Sequence, residues 1–178
     1  MKVLGLERSN FLLMAERAWG FVRCHFNAIN EALGGRAAVV DPNTMKEVGK
    51  KGKRISIIIH HPYPTKAKDR VTNLSYHGVA CALAIIGVLF GLKLMDGVAF
   101  FGEIDYAGNL LNTCTAEECF KSIPEVWQQM LLKTFILPQE DSKTVKDQKP
   151  EPPKKTPDMD VVGCSDMFEV VKKAFVLE

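Results

Sequence analysis

From Leu74 to Leu92 the chain is apolar apart from Ser75, Tyr76 and His77, and no other stretch restricts the fold as much. A membrane-spanning helix needs about 20 predominantly apolar residues, so this run is barely long enough to be one. His77 lies inside it, Gly78, Gly87 and Gly91 dilute it, and the chain then enters a strand pattern from Val98 to Ile104. A core helix packed on all sides explains the same composition, so the expectation is a buried helix rather than a membrane span. Such a helix needs a shell of other elements, and 178 residues with 47% apolar content can supply one within a single domain over 1–178.

The flanking segments supply that shell. Apolar residues recur at helical spacing from Leu4 to Leu33 (Phe11, Met14, Ala18, Phe21, Val22, Ile29), and Gly34-Gly35 stops them. The reading is one long amphipathic helix over 4–33, bent near Gly20. Arg54 to His60 is a β-branched run closed by His61-Pro62, and it opens a core over 54–137. Thr115-Ala-Glu-Glu118 and Ser122-Ile-Pro-Glu125 fit capping boxes, so two short helices or one bent helix run to about Leu132. Thr134 to Leu137 is a strand closed by Pro138. Residues 139–160 hold Pro150, Pro152, Pro153 and Pro157 among lysines, which reads as a mobile insert. Val161-Val162 is a last short strand, and Ser165 caps a closing helix over 165–177. Helices and strands alternate, which argues for a mixed α/β layered domain, a sheet covered by helices.

Charge and cysteine usage narrow the function. The 23 Lys and Arg nearly cancel the 21 Asp and Glu, and a net +2 does not by itself argue for nucleic acid. Local clusters do exist: Lys46, Lys50, Lys51, Lys53 and Arg54 in one loop, Lys66, Lys68 and Arg70 in another. They are surfaces for an acidic partner or a nucleic acid, although no aromatic residues interleave for base stacking. Cys24, Cys81, Cys114, Cys119 and Cys164 are odd in number and form no Cys-x-x-Cys pair, so a reducing intracellular compartment, mitochondrial matrix or cytoplasm, is the default. Glu7 and Glu16 among Arg8, Arg17 and Arg23 spoil both a signal peptide and an acid-poor presequence.

Few residues carry chemistry by pattern alone. Gly49-Lys-Lys-Gly-Lys53 lacks the spacing of a phosphate loop. His25, His60, His61 and His77 show no ligand spacing, so no metal and no cofactor is expected. Glu103 and Asp105 follow a buried strand and alternate in direction, as carboxylates do that bind backbone amides or a neighbouring arginine.

Three blocks do carry a family likeness. Gly78-Val-Ala-Cys-Ala-Leu83, Phe101-Gly-Glu-Ile-Asp-Tyr-Ala-Gly-Asn-Leu-Leu111 and Leu132-Lys-Thr-Phe-Ile-Leu-Pro138 resemble, in order, the start of the long apolar helix, the strand and turn, and the late strand of the Lon protease proteolytic domain. Phe168-Glu-Val-Val-Lys-Lys-Ala174 resembles that family's last helix. The resemblance implies a Lon proteolytic domain-like fold, related to ribosomal protein S5 domain 2, shortened at its N-terminal side, and carrying the Pro/Lys-rich insert. It covers roughly the last two thirds of the chain. The family's opening strands and ATPase module have no counterpart in it.

The same alignment bears on chemistry. The family motif G-P-S-A-G falls on Leu74, Ser75, Tyr76, His77 and Gly78, so Tyr76 holds the nucleophile's place, and the family's catalytic lysine falls on Cys119. A Ser-Lys dyad needs a desolvated amine within reach of a hydroxyl, which Tyr76 and Cys119 do not supply. Nothing cationic is placed to activate a tyrosine–thiolate pair either. The alternative dyad is Ser75, one residue early, with Lys121, two residues late. On a helix those shifts rotate side chains by about 100° and 200°. The expectation is therefore a chain that is no enzyme: an inactive Lon-like domain serving as a structural or interaction subunit of a larger assembly, organellar or ribonucleoprotein. An active serine peptidase using Ser75 and Lys121 is the alternative. Lon-like domains form ring hexamers, so the resemblance also implies self-association.

Overall fold

The computed structural model describes residues 8–40, 77–111, 132–147 and 159–177. Helix α1 (Arg8–Cys24) and α2 (Phe26–Ala32) come first, then α3 (Gly78–Phe90) and the strands β1 (Val98–Phe100), β2 (Glu103–Ile104) and β3 (Leu110–Leu111). Strand β4 (Thr134–Pro138), α4 (Gln139–Asp147), β5 (Asp160–Cys164) and α5 (Met167–Ala174) complete the described elements. β1, β4 and β5 form a parallel sheet with β4 in the middle, in the register Val98↔Thr134 and Thr134↔Asp160. β2 and β3 form a separate antiparallel hairpin.

Alternation along the strands sorts the core into two faces. Ile136, Val162 and Cys164 join the main cluster, which α1, α2, α3 and α5 build with Phe21, Ile29, Leu83, Ile86, Leu89 and Val171. Phe135, Leu137 and Val161 are buried outside that cluster, on the face where Gly163 meets α4. Helices on both faces of a parallel sheet are what short apolar strands without polar alternation require. The α/β layered class is thus present in the molecule.

α3 earns its place by burial. Of its residues only Ala84 and Val88 are exposed, and Gly91 ends it in the left-handed conformation at φ 64° with its N–H on the Gly87 carbonyl. Among the described residues no helix is long and apolar enough to cross a membrane.

Three expectations need correction. The N-terminal helix does not bend at Gly20; it breaks at His25, which separates α1 from α2. Gly20 has another use, because a Cβ there would stand 2.5 Å from the Tyr106 ring. The insert does not begin at residue 139 either. Gln139–Asp147 is helix α4, with Glu140 and Asp141 in its first turn, where the helix dipole favours anions, and the Ser142 hydroxyl donating to the Gln139 carbonyl at 2.7 Å. Its other end also differs, since Met159 is buried and Asp160 already belongs to β5. Residues 148–158 lie outside the described residues.

The cap of α5 is Asp166 rather than Ser165. Asp166 Oδ1 accepts the Glu169 N–H at 2.9 Å, and Glu169 Oε2 reaches back to the Ser165 N–H at 2.9 Å. That amide bond, joined by the Lys173 ammonium, holds the Glu169 carboxyl below the usual glutamate range. The stability it gives is present above the ordinary glutamate pKa and is lost as pH falls through the lowered one. Asp166→Ala is expected to cost about 1 kcal/mol, read as a lower denaturant midpoint at unchanged slope. An unaltered midpoint would mean that the cap contributes nothing.

Candidate active site

The start of α3 is the best-defined point of the candidate site, and a pair of glycines explains how it is held. Gly102 follows β1 at φ 141°, where side chains are strained, and its carbonyl accepts the Val79 N–H at 3.2 Å. Gly78 sits so close to the next residues that a Cβ would be 3.1 Å from the Ile104 nitrogen and 3.4 Å from the Glu103 Cα. The first turn of α3 therefore rests directly on the main chain of Gly102, Glu103 and Ile104. His77 precedes the helix as its N-cap and gives no side-chain cap bond.

The hairpin that follows is tied to α1. The Arg17 guanidinium pairs with the Glu103 carboxylate, both partly buried. His25 Nε2 lies 3.1 Å from the Tyr106 carbonyl, and the Tyr106 ring covers Gly20. At the tip, Asp105 Oδ1 accepts the N–H groups of Ala107 and Asn109, both at 2.9 Å, while Oδ2 accepts the Asn109 side-chain amide at 2.8 Å. Partial desolvation pushes the Asp105 carboxyl up, but the bonds from Asn109, Ala107 and Gly108 together outweigh it and hold it below the usual range. The expectation that these two carboxylates serve an arginine and backbone amides is met: Glu103 has the first, Asp105 the second.

Ser75, Tyr76, Cys119 and Lys121 lie outside the described residues, as do Lys46, Lys50, Lys51, Lys53, Arg54, Lys66, Lys68 and Arg70, the strand expected at Arg54 to His60 and the helices expected from Thr115 to about Leu132, of which only Leu132 is described, buried and outside any helix. The described residues that adjoin these segments in the chain include His77 at the entry to α3, and Leu111, opposite Glu103, at the end of β3. Among the described residues no three His, Cys, Asp or Glu side chains gather as metal ligands. The buried thiols are not poised for chemistry. Burial pushes Cys81 up to about 11, and it also raises Cys164 against the opposing charge of Lys173. Sequence reasoning missed Arg17, Gly20 and His25 as partners of the hairpin, because their contacts span 80 residues or more and leave no local pattern.

Helices on both faces of a parallel sheet, with an apolar helix seated on a strand-end glycine, define an α/β domain organised around the start of that helix. The chain belongs to the Lon protease family: the model of the Lon protease (S16) C-terminal proteolytic domain matches residues 32–177. No curated protein matches the chain. The resemblance drawn from the three sequence blocks is thereby shown, and it reaches further towards the N-terminus than those blocks do. The match also overturns the expectation that the chain is no enzyme. The family is one of serine peptidase domains, and altered residues at two motif positions do not amount to lost activity.

Proposed function

We propose that this chain cleaves peptide bonds as a Lon-type serine peptidase domain, with Ser75 as nucleophile and Lys121 as base, acting as a subunit of a larger protein assembly. The observation that carries the reading is the family match across residues 32–177, which spans both side chains. A serine hydroxyl is a weak nucleophile until a base removes its proton, and a lysine amine does so when its surroundings favour the neutral form. Ser75 Oγ attacks the scissile carbonyl while its proton passes to Lys121 Nζ. The ammonium so formed protonates the leaving amine, and water repeats the sequence on the acyl-enzyme.

The start of α3 supports this assignment. Helix N-termini carry partial positive charge, which favours the oxyanion that forms when the carbonyl is attacked. His77 makes no side-chain cap bond at that terminus, while the Val79 N–H is already taken by the Gly102 carbonyl. The basic segments, Lys46 to Arg54 and Lys66 to Arg70, are the surfaces offered to an acidic partner in the assembly.

The test is hydrolysis of fluorogenic peptides by the full chain and four variants. Ser75→Ala and Lys121→Ala should each lower kcat about a thousandfold or more, whereas Tyr76→Phe and Cys119→Ser should retain activity. Loss confined to Tyr76→Phe or Cys119→Ser would reassign the dyad, and an unmodified chain that cleaves nothing would end the reading.

A further inference from the structure

We infer that strand β5 is a self-association edge, along which a second copy of this chain adds its own β5 in antiparallel sense. Within the described sheet β5 stands at one end of the order β1-β4-β5. The Asp160 N–H donates to the Lys133 carbonyl at 2.8 Å, so Asp160, Val162 and Cys164 turn their main-chain groups towards β4. Val161 and Gly163 turn theirs outward, and among the described residues no hydrogen-bond partner meets them. A row of this kind is a template for another strand. Proline, a bulge or a lysine commonly blunts such an edge, but Asp160-Val-Val-Gly-Cys164 contains none, and its register with β4 runs unbroken.

Shape and charge select a second copy as the added strand. A twofold axis at Val162 sets Val161 of one copy opposite Gly163 of the other, so that both outward residues exchange N–H and C=O groups. Gly163 brings no side chain for the facing valine to meet. Asp160 then falls opposite Cys164. Asp160, Val162 and Cys164 share one face by alternation, and on that face Lys173 Nζ lies 3.7 Å from Cys164 Sγ. Asp160 is exposed and no described side chain pairs with its carboxylate, while Lys173 remains 40% exposed although it binds Glu169. The axis thus brings each Asp160 to the other copy's Lys173. A slip of one residue would turn Asp160 to the opposite face and lose both charge contacts. The pairing is isologous and closes at two copies, unlike the heterologous contacts that build a ring.

Sedimentation velocity of the full chain from about 1 µM to about 1 mM reads this association. The unmodified chain should pass from monomer to dimer within that range. Asp160→Lys or Lys173→Glu alone sets like charges at both contacts and should weaken dimerisation about tenfold or more. An equimolar mixture of the two variants should restore it, because the mixed pair again sets opposite charges at both contacts. Amide hydrogen exchange needs no variant. Val161 and Gly163 should exchange about tenfold more slowly at the highest concentration than at the lowest, while Val98–Phe100, on the opposite side of the sheet, keep their rates. A chain that stays monomeric, an association that neither substitution weakens, a mixture that associates no better than its components, or exchange at Val161 and Gly163 independent of concentration would each overturn the inference. Peptide hydrolysis enters neither readout, so failure of that reading leaves this pairing to stand or fall by itself.

Discussion

Gly108→Val should lower folding stability by about 2–5 kcal/mol, because two separate penalties meet at one residue. Gly108 has φ 89°, and a side chain in the left-handed region costs about 1–2 kcal/mol. Its missing Cβ is also the space occupied by Phe21, whose ring carbon Cε2 would lie 2.5 Å from it. Phe21 is fully buried, so its ring cannot move aside into solvent, and overpacking of this kind adds about 1–3 kcal/mol. The Gly108 carbonyl further accepts the Met167 N–H at 2.9 Å, so displacement here is passed to the start of α5. Gly34→Val separates the two penalties. Gly34 has φ 79° with nothing within 4 Å of its Cβ position, so only the backbone cost of about 1–2 kcal/mol should appear. Denaturant midpoints at constant slope measure both variants, and equal losses would mean that the Phe21 contact carries no energy.

Such contacts also mark the limit of what the sequence makes legible. The strand at Thr134 to Leu137 could be read because a short apolar run ends at a proline, and it occurs as Thr134–Pro138. The buried helix could be read because its apolar residues cover every face and Gly91 stands at its end; it occurs as Gly78–Phe90. α4 escaped because Gln139-Glu-Asp-Ser-Lys143 has no apolar stripe. What holds that segment is its seat on β5, where a Cβ on Gly163 would meet the Ser142 hydroxyl at 2.3 Å. The break at His25 was misplaced to Gly20 for a related reason. A glycine in a helix reads as a weak point, but this one makes room for an aromatic ring from a distant hairpin. For the site, family likeness set Tyr76 and Cys119 at the motif positions and left Ser75 and Lys121 as the offset alternative, all four outside the described residues, while the Arg17–Glu103 pair is a product of the tertiary fold alone.

Cys81 should make stability fall as pH rises from about 9 to about 11, by about 3 kcal/mol over that interval. Its thiol is buried in α3 and is pushed from 9.0 up to about 11 by desolvation of the thiolate. The unfolded chain therefore releases this proton at lower pH than the folded one. Between the two values the folded state binds more protons, so its stability is complete below about 9 and declines as pH rises towards the folded value. Two units at about 1.4 kcal/mol each give the expected magnitude. Lysines and tyrosines titrate in the same range, so the measurement is a difference: denaturant unfolding from pH 7 to 11 for the chain and for Cys81→Ala. The variant loses a few buried contacts at every pH, which offsets its curve without tilting it, and its alkaline decline should be shallower by the amount assigned to the thiol. Parallel curves would mean that Cys81 reaches solvent before the chain unfolds. That would contradict a helix buried on nearly every face, the feature from which the fold is built.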